Sequence, residues 1–185
     1  LVGLAVCPVD DDMATAVLTV VHHHDPIEVV VHRRVDGELR VLDATWPPGG
    51  HDGDIVAPLI RGSFIITSTT LVPRACGDRA GWFDETLPAF GAEDWDLWLR
   101  LARRHPVVCV REELILHRRH DTNTPPRQAV ASGAAVLRKQ YADCAVAPRA
   151  RMGRRQALAR WYLASAGSHE RMPVILKPDQ FNLWL

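Results

Sequence analysis

Residues 92–104 read AEDWDLWLRLARR. Trp95, Trp98, Leu99 and Ala102 fall at i, i+3, i+4 and i+7, which stacks them on one face of an α-helix. Asp96 and Arg100 stand four apart and form an ion pair on another face. Glu93 and Asp94 open the helix, where its dipole favours negative charge. A carboxylate that follows a loop and precedes an anchored helix has the fixed reach that a general base needs. Taken alone, the simpler reading of the same acids is a helix cap, and that reading is favoured.

Upstream, Phe64–Val72 (FIITSTTLV) is β-prone, and Pro73–Ala80 forms a short helix with Pro near its first turn. Gly81–Gly91 is an irregular loop. Downstream, Val107–Val110 and Leu114–Leu116 read as short strands, and Arg118–Pro126 as a loop. Two helices follow, about Gln128–Tyr141 and about Arg149–Ala164.

At the start, Leu1–Cys7 (LVGLAVC) suits an interior parallel strand, ended by Pro8 and Asp10-Asp11-Asp12. Met13–His22 reads as a helix with those acids at its positive end. His22-His23-His24 at its other end complement the dipole rather than bind metal. Ile27–Val35 and Leu39–Leu42 flank Asp36-Gly37, a hairpin signal, and Thr45–Asp54 is a Pro- and Gly-rich loop. A chain that opens on a strand at Leu1 is expected to be a fragment lacking its N-terminal part.

The 185 residues carry 22 Lys plus Arg against 22 Asp plus Glu, with 47% hydrophobic residues. That balance argues against disorder and against a nucleic-acid-binding protein. No run of about 18 apolar residues suggests a membrane span. The four cysteines are widely spaced, without a CxxC pair, so a zinc site or disulfide framework is not expected. Charge is uneven: residues 1–60 hold 10 acids and 3 bases, residues 126–185 hold 3 acids and 10 bases. An acidic start suits a cation and a basic end suits phosphate or anionic lipid; solvated faces are the equal alternative. Arg149, Arg151, Arg154, Arg155 and Arg160 are read in the same two ways, peripheral membrane contact or, preferred, a solvated face.

Three further groups carry chemistry. Asp10 and Asp12, two apart at the end of a strand, suit a Mg²⁺ or Mn²⁺ ion beside phosphates, although taken alone a cap for the next helix is the favoured reading. His117-Arg118-Arg119-His120 follows a strand, where Arg grips phosphate and His bonds oxygen or metal, against a solvated basic loop. Gly81-Trp82-Phe83-Asp84-Glu85 precedes the tryptophan-rich helix.

In this order the pieces resemble the later part of a family 2 glycosyltransferase domain of the GT-A fold. That family shows a serine-bearing strand (Ser68), an Arg-bearing helix (Arg74) and G-x-FDE (Gly81–Glu85). An E-D-W-D-L-W-x-R-L helix (Glu93–Leu101) and Y-R-x-H-x-x-N (His117–Asn123) follow, with His117 replacing the tyrosine. The family's L-D-x-D-D matches the triplet Asp10–Asp12 approximately, with Val9 in place of an acid in one register. The opening V-x-V-I-I-P-x-Y-N is absent. The resemblance implies an α/β fold, a partial GT-A mixed sheet flanked by helices, over residues 1–125, with a helical C-terminal extension over 126–185. It implies an inverting enzyme; the cysteine usage suits a cytoplasmic one, at the inner face of the membrane if the basic end binds lipid. Sugar would move from a nucleotide-diphosphate sugar to a hydroxyl-bearing glycan, lipid or small-molecule acceptor. Asp94 would be the base, with Glu93 orienting the site. Asp10, Asp12 and His120 would hold a divalent cation, Mg²⁺ or Mn²⁺, while Trp82 and Asp84 meet the acceptor and Arg118 the phosphates. The alternatives are a non-catalytic, truncated or degenerate copy and, less favoured, a nucleotidyltransferase.

Overall fold

The computed structural model describes residues 26–42, 50–87, 92–118 and 126–167. The expected strand Leu1–Cys7, the acidic triplet and the helix Met13–His22 lie outside these residues, as do Gly91 and His120. The described elements are β1 (Ile27–Val35), α1 (Val56–Arg61), a 3-10 turn (Thr67–Thr69), β2 (Thr70–Leu71) and α2 (Arg74–Ala80), followed by α3 (Glu93–Ala102), β3 (Val107–Arg118), α4 (Pro126–Gln140), α5 (Val146–Ala150) and α6 (Arg154–Gly167). Among the described residues the protein is mixed α/β, with a small three-stranded sheet flanked by helices.

The sheet order is β2-β1-β3, with β2 antiparallel and β3 parallel to β1. A parallel neighbour demands a long crossover, and α1, α2 and α3 lie within it. The centre of β1 is buried on both faces, as its run Val29-Val30-Val31 requires. Asp36 accepts from the backbone N–H of Glu38 and Arg40, which closes the expected turn. The returning arm makes one bridge, Val35 to Val41, rather than a full hairpin strand.

Two expected short strands are one strand. Arg111-Glu112-Glu113 interrupts the apolar pattern, but among the described residues β3 lies at the sheet edge and two of these charges find partners beside it. Glu113 pairs with Arg33 of β1 and Arg111 with Asp52. The β1–β3 register shifts between Val30 and His32. Conversely, most of Phe64–Val72 is not strand. The hydroxyls of Thr69 and Thr70 both donate to the carbonyl of Ile66, at 2.9 and 3.1 Å, which favours a tight turn over a ladder.

The helix expected at Arg149–Ala164 is two helices. Arg151 adopts a left-handed conformation (φ 50°) and ends α5, and α6 starts after Gly153. The short helix α1 was not foreseen; the Asp54 carboxylate accepts from the N–H of Val56 at its start.

One core joins the sheet to the helices: Ile27 and Val29 of β1, Leu59 and Ile60 of α1, Leu97 and Leu101 of α3, Leu137 of α4, Val146 of α5 and Leu158 of α6. Gly133 of α4 is a seat for Trp161 of α6. A Cβ there would stand 2.3 Å from the indole, whose Nε1 donates to the Val130 carbonyl at 2.9 Å. Among the described residues no helix is long and apolar enough to cross a membrane.

Candidate functional site

Helix α3 is the hub. Its expected stripe, Trp95, Trp98, Leu99 and Ala102, is buried, and so are Asp96, Leu97 and Leu101. Trp95 donates from Nε1 to the Leu59 carbonyl at 2.7 Å and packs 4.9 Å from the Trp161 ring. The far end is clamped by Arg149, whose guanidinium donates to the carbonyls of Ala102 and Arg103 at 3.2 and 2.7 Å and pairs with Asp54 at 2.8 Å. Arg149 is thereby committed to the fold, whereas Arg151, Arg154, Arg155 and Arg160 are exposed.

The pairing of Asp96 with Arg100 is present at 2.8 Å, and Asp96 is fully buried. A buried carboxylate needs compensation on both oxygens. Oδ2 receives Arg100 Nε and Lys139 Nζ, at 2.8 and 2.7 Å, and Oδ1 receives Gln140 Nε2 at 2.7 Å. Lys139 and Gln140 come from the last turn of α4, outside the segment that carried motifs.

The same network fixes the loop before α3. Arg100 Nη1 donates to the carbonyls of Ala80 and Gly81, and Nη2 to that of Trp82 at 2.6 Å. Trp82 Nε1 donates to Asp78 at 2.8 Å, and its ring lies over Gly77, where a Cβ would stand 2.2 Å from it. Trp82 and its neighbour Phe83 remain exposed, at 43% and 46%. Asp84 Oδ2 accepts from Lys139 at 2.5 Å, and Oδ1 accepts from the N–H and hydroxyl of Thr86. Lys139, then Thr86, hold the Asp84 carboxyl well below the usual carboxylate range.

Glu93 and Asp94 form the first turn of α3. Glu93 is exposed and accepts from the Ala92 N–H at 3.0 Å. Asp94 is half-buried and accepts from the Trp95 N–H at 2.6 Å. Both take up an adjacent N–H, yet neither caps the helix, because the N-cap position is Ala92 and no side chain makes a cap hydrogen bond there. Burial pushes the Asp94 carboxyl up to about 6, with the Glu93 charge adding to the rise, despite that hydrogen bond. A carboxyl that changes protonation near neutrality, on a buried and braced helix, is suited to accepting a proton from a hydroxyl.

Of the expected site residues, the structure groups Glu93 and Asp94 at the start of α3, and ties Trp82 and Asp84 to the same helix through Arg100 and through Lys139 and Asp96. Asp10, Asp12 and His120 lie outside the described residues, as does the side chain of Arg118 at the end of β3. Among the described residues no group of three or more His, Cys, Asp or Glu side chains could hold a metal ion. Lys139 and Gln140 were missed because no local pattern marks them; the requirement that a buried Asp96 have cations near it exists only once burial is known.

No family model, curated protein or solved structure matches the chain. Fold and site define a mixed α/β protein whose acidic helix start and braced aromatic loop are carried on one buried helix.

Proposed function

We propose that the protein belongs to an inverting glycosyltransferase of GT-A type, acting on a nucleotide-diphosphate sugar and an acceptor hydroxyl. The observation that carries the reading is Asp94: half-buried, raised to about 6, at the start of a helix fixed at both ends. The motif order from Ser68 to Asn123 supports it.

In this reading Asp94 accepts the acceptor's hydroxyl proton as that oxygen attacks the anomeric carbon from the face opposite the leaving diphosphate. Glu93 keeps the Asp94 carboxyl basic through its neighbouring charge. The exposed rings of Trp82 and Phe83 offer an apolar platform for an acceptor, held still by Arg100. Asp84 serves the platform rather than the substrate, because its carboxylate is taken by Lys139 and Thr86. A divalent cation, assigned to Asp10, Asp12 and His120 by the resemblance alone, would supply charge neutralisation of the leaving diphosphate.

The competing reading is a non-catalytic relative that binds a partner. It draws on one observation, that the motif acids Asp84 and Asp96 are both consumed by the fold. Calorimetry with a panel of nucleotide-diphosphate sugars and Mn²⁺ separates the two. The transfer reading requires saturable binding of at least one donor and release of its nucleoside diphosphate on adding acceptor. A protein that binds none of the panel is not a transferase.

A further inference from the structure

We propose that Lys139 is a positioning residue, holding the Trp82–Asp84 loop in register with the start of α3 by placing one ammonium between Asp84 and Asp96. The part of this that concerns substrate rests on the transfer reading; the bridge itself does not.

The argument starts from Asp96. Its two oxygens are already met by Arg100 and Gln140, so an ion pair and an amide hydrogen bond are in place without Lys139. A second cation on one buried carboxylate is surplus until Asp84 is counted. Two carboxylates, Arg100 and Lys139 then form a group of net zero charge, the condition under which buried charges are tolerated. Lysine suits the place. Its compact head carries three donors and no acceptor, and meets two carboxylates at 2.5 and 2.7 Å.

The bridge joins three elements. Arg100 grips the loop at residues 80–82, and Lys139 grips it again at residue 84. Asp96 lies two residues after Asp94, so the anchored end of the bridge is within one turn of the proposed base. Helix α4 thus sets the distance between the exposed aromatic pair and that carboxyl, and the C-terminal third of the chain contributes to a site whose motifs all lie before it.

The test is backbone amide exchange of the full chain, followed by mass spectrometry, for wild type, Lys139→Met, Lys139→Arg and Asp84→Asn. Asp84→Asn removes the charge at the exposed end of the bridge, leaves one amide oxygen where Lys139 and Thr86 each had their own, and keeps Asp96 paired, so it guards against a Lys139→Met protein that does not fold. Residues 81–87 should exchange roughly ten-fold faster in Asp84→Asn and Lys139→Met and stay near wild type in Lys139→Arg, while residues 95–101 are unchanged in Asp84→Asn. Loop exchange within two-fold of wild type in Asp84→Asn, or equal acceleration of loop and helix, overturns the proposal. Failure of the transfer reading shows separately, as a wild-type protein that releases no nucleoside diphosphate from any donor.

Discussion

The indole Nε1 of Trp95 donates to the backbone carbonyl of Leu59 at 2.7 Å, joining the start of α3 to α1 across 36 positions of chain. This bond and the clamp of Arg149 at the other end make α3 a rigid carrier for the acids of its first turn. Rigidity there is what a proton-transfer group requires.

Trp95→Ala should be among the most costly single changes, about 3–5 kcal/mol, because it removes a large buried ring together with its contact to Trp161. Trp95→Phe, which loses the hydrogen bond and part of the volume, should cost about 1–3 kcal/mol. Urea unfolding measures both. Equal effects of the two substitutions would contradict the large share given to the buried ring, because Phe keeps most of that ring while both variants lose the indole N–H.

Asp96→Ala leaves Arg100 and Lys139 beside a site that no longer holds their counter-charge. A loss of about 3–5 kcal/mol is expected, larger than for any exposed ion pair. A loss below about 1 kcal/mol in the denaturation midpoint would contradict the placement of Asp96 at the centre of the network.

Asp94 carries the opposite sign. Its folded carboxyl titrates near 6 against an ordinary 3.8, so the folded protein holds a proton that the unfolded chain has released between those values. Stability contributed at this position therefore falls as pH rises through that window and is level above it. Asp94→Asn should be more stable than wild type above pH ~6, by about 1–3 kcal/mol, and indistinguishable from it below pH ~3.5. Melting temperatures across that range decide it; a difference that does not vary with pH rules out the desolvated carboxyl.

Gly133→Ala sets two effects against each other. Alanine in a helix interior gains about 1 kcal/mol over glycine. Its methyl would stand 2.3 Å from the Trp161 ring, so α6 must shift, which costs about 1–3 kcal/mol. Net destabilisation is expected, visible as a lower melting temperature and a changed tryptophan spectrum. A stabilised variant would place Trp161 elsewhere.

What could be read in the sequence follows from locality. The helix Glu93–Ala102 was legible because four large side chains repeat at helical spacing, and α2 because Pro73 marks its start. The burial of Asp96 was not, since an Asp and an Arg four apart look the same whether water or Lys139 lies beyond them. The decisive partner stands 43 positions away. β3 reads as two strands in the sequence because the charges of residues 111–113, all exposed, interrupt its apolar pattern. The break before α6 was missed because Arg151 gives no local sign that it will take a left-handed conformation. Within the candidate site, Glu93, Asp94 and Trp82 are proposed from motif order. Their bracing was not legible, because Arg100 acts through backbone carbonyls that no side-chain pattern encodes.

The central claim, that Asp94 is the base of a sugar transfer, is met most directly by the pH dependence of kcat/KM for wild type and Asp94→Asn, scored as nucleoside diphosphate released. Wild type should rise ten-fold per pH unit up to about 6 and then level, and the Asn variant should fall 10²- to 10⁴-fold with that rise abolished. An Asn variant with wild-type turnover, or a wild-type profile flat from pH 5 to 7, would contradict it.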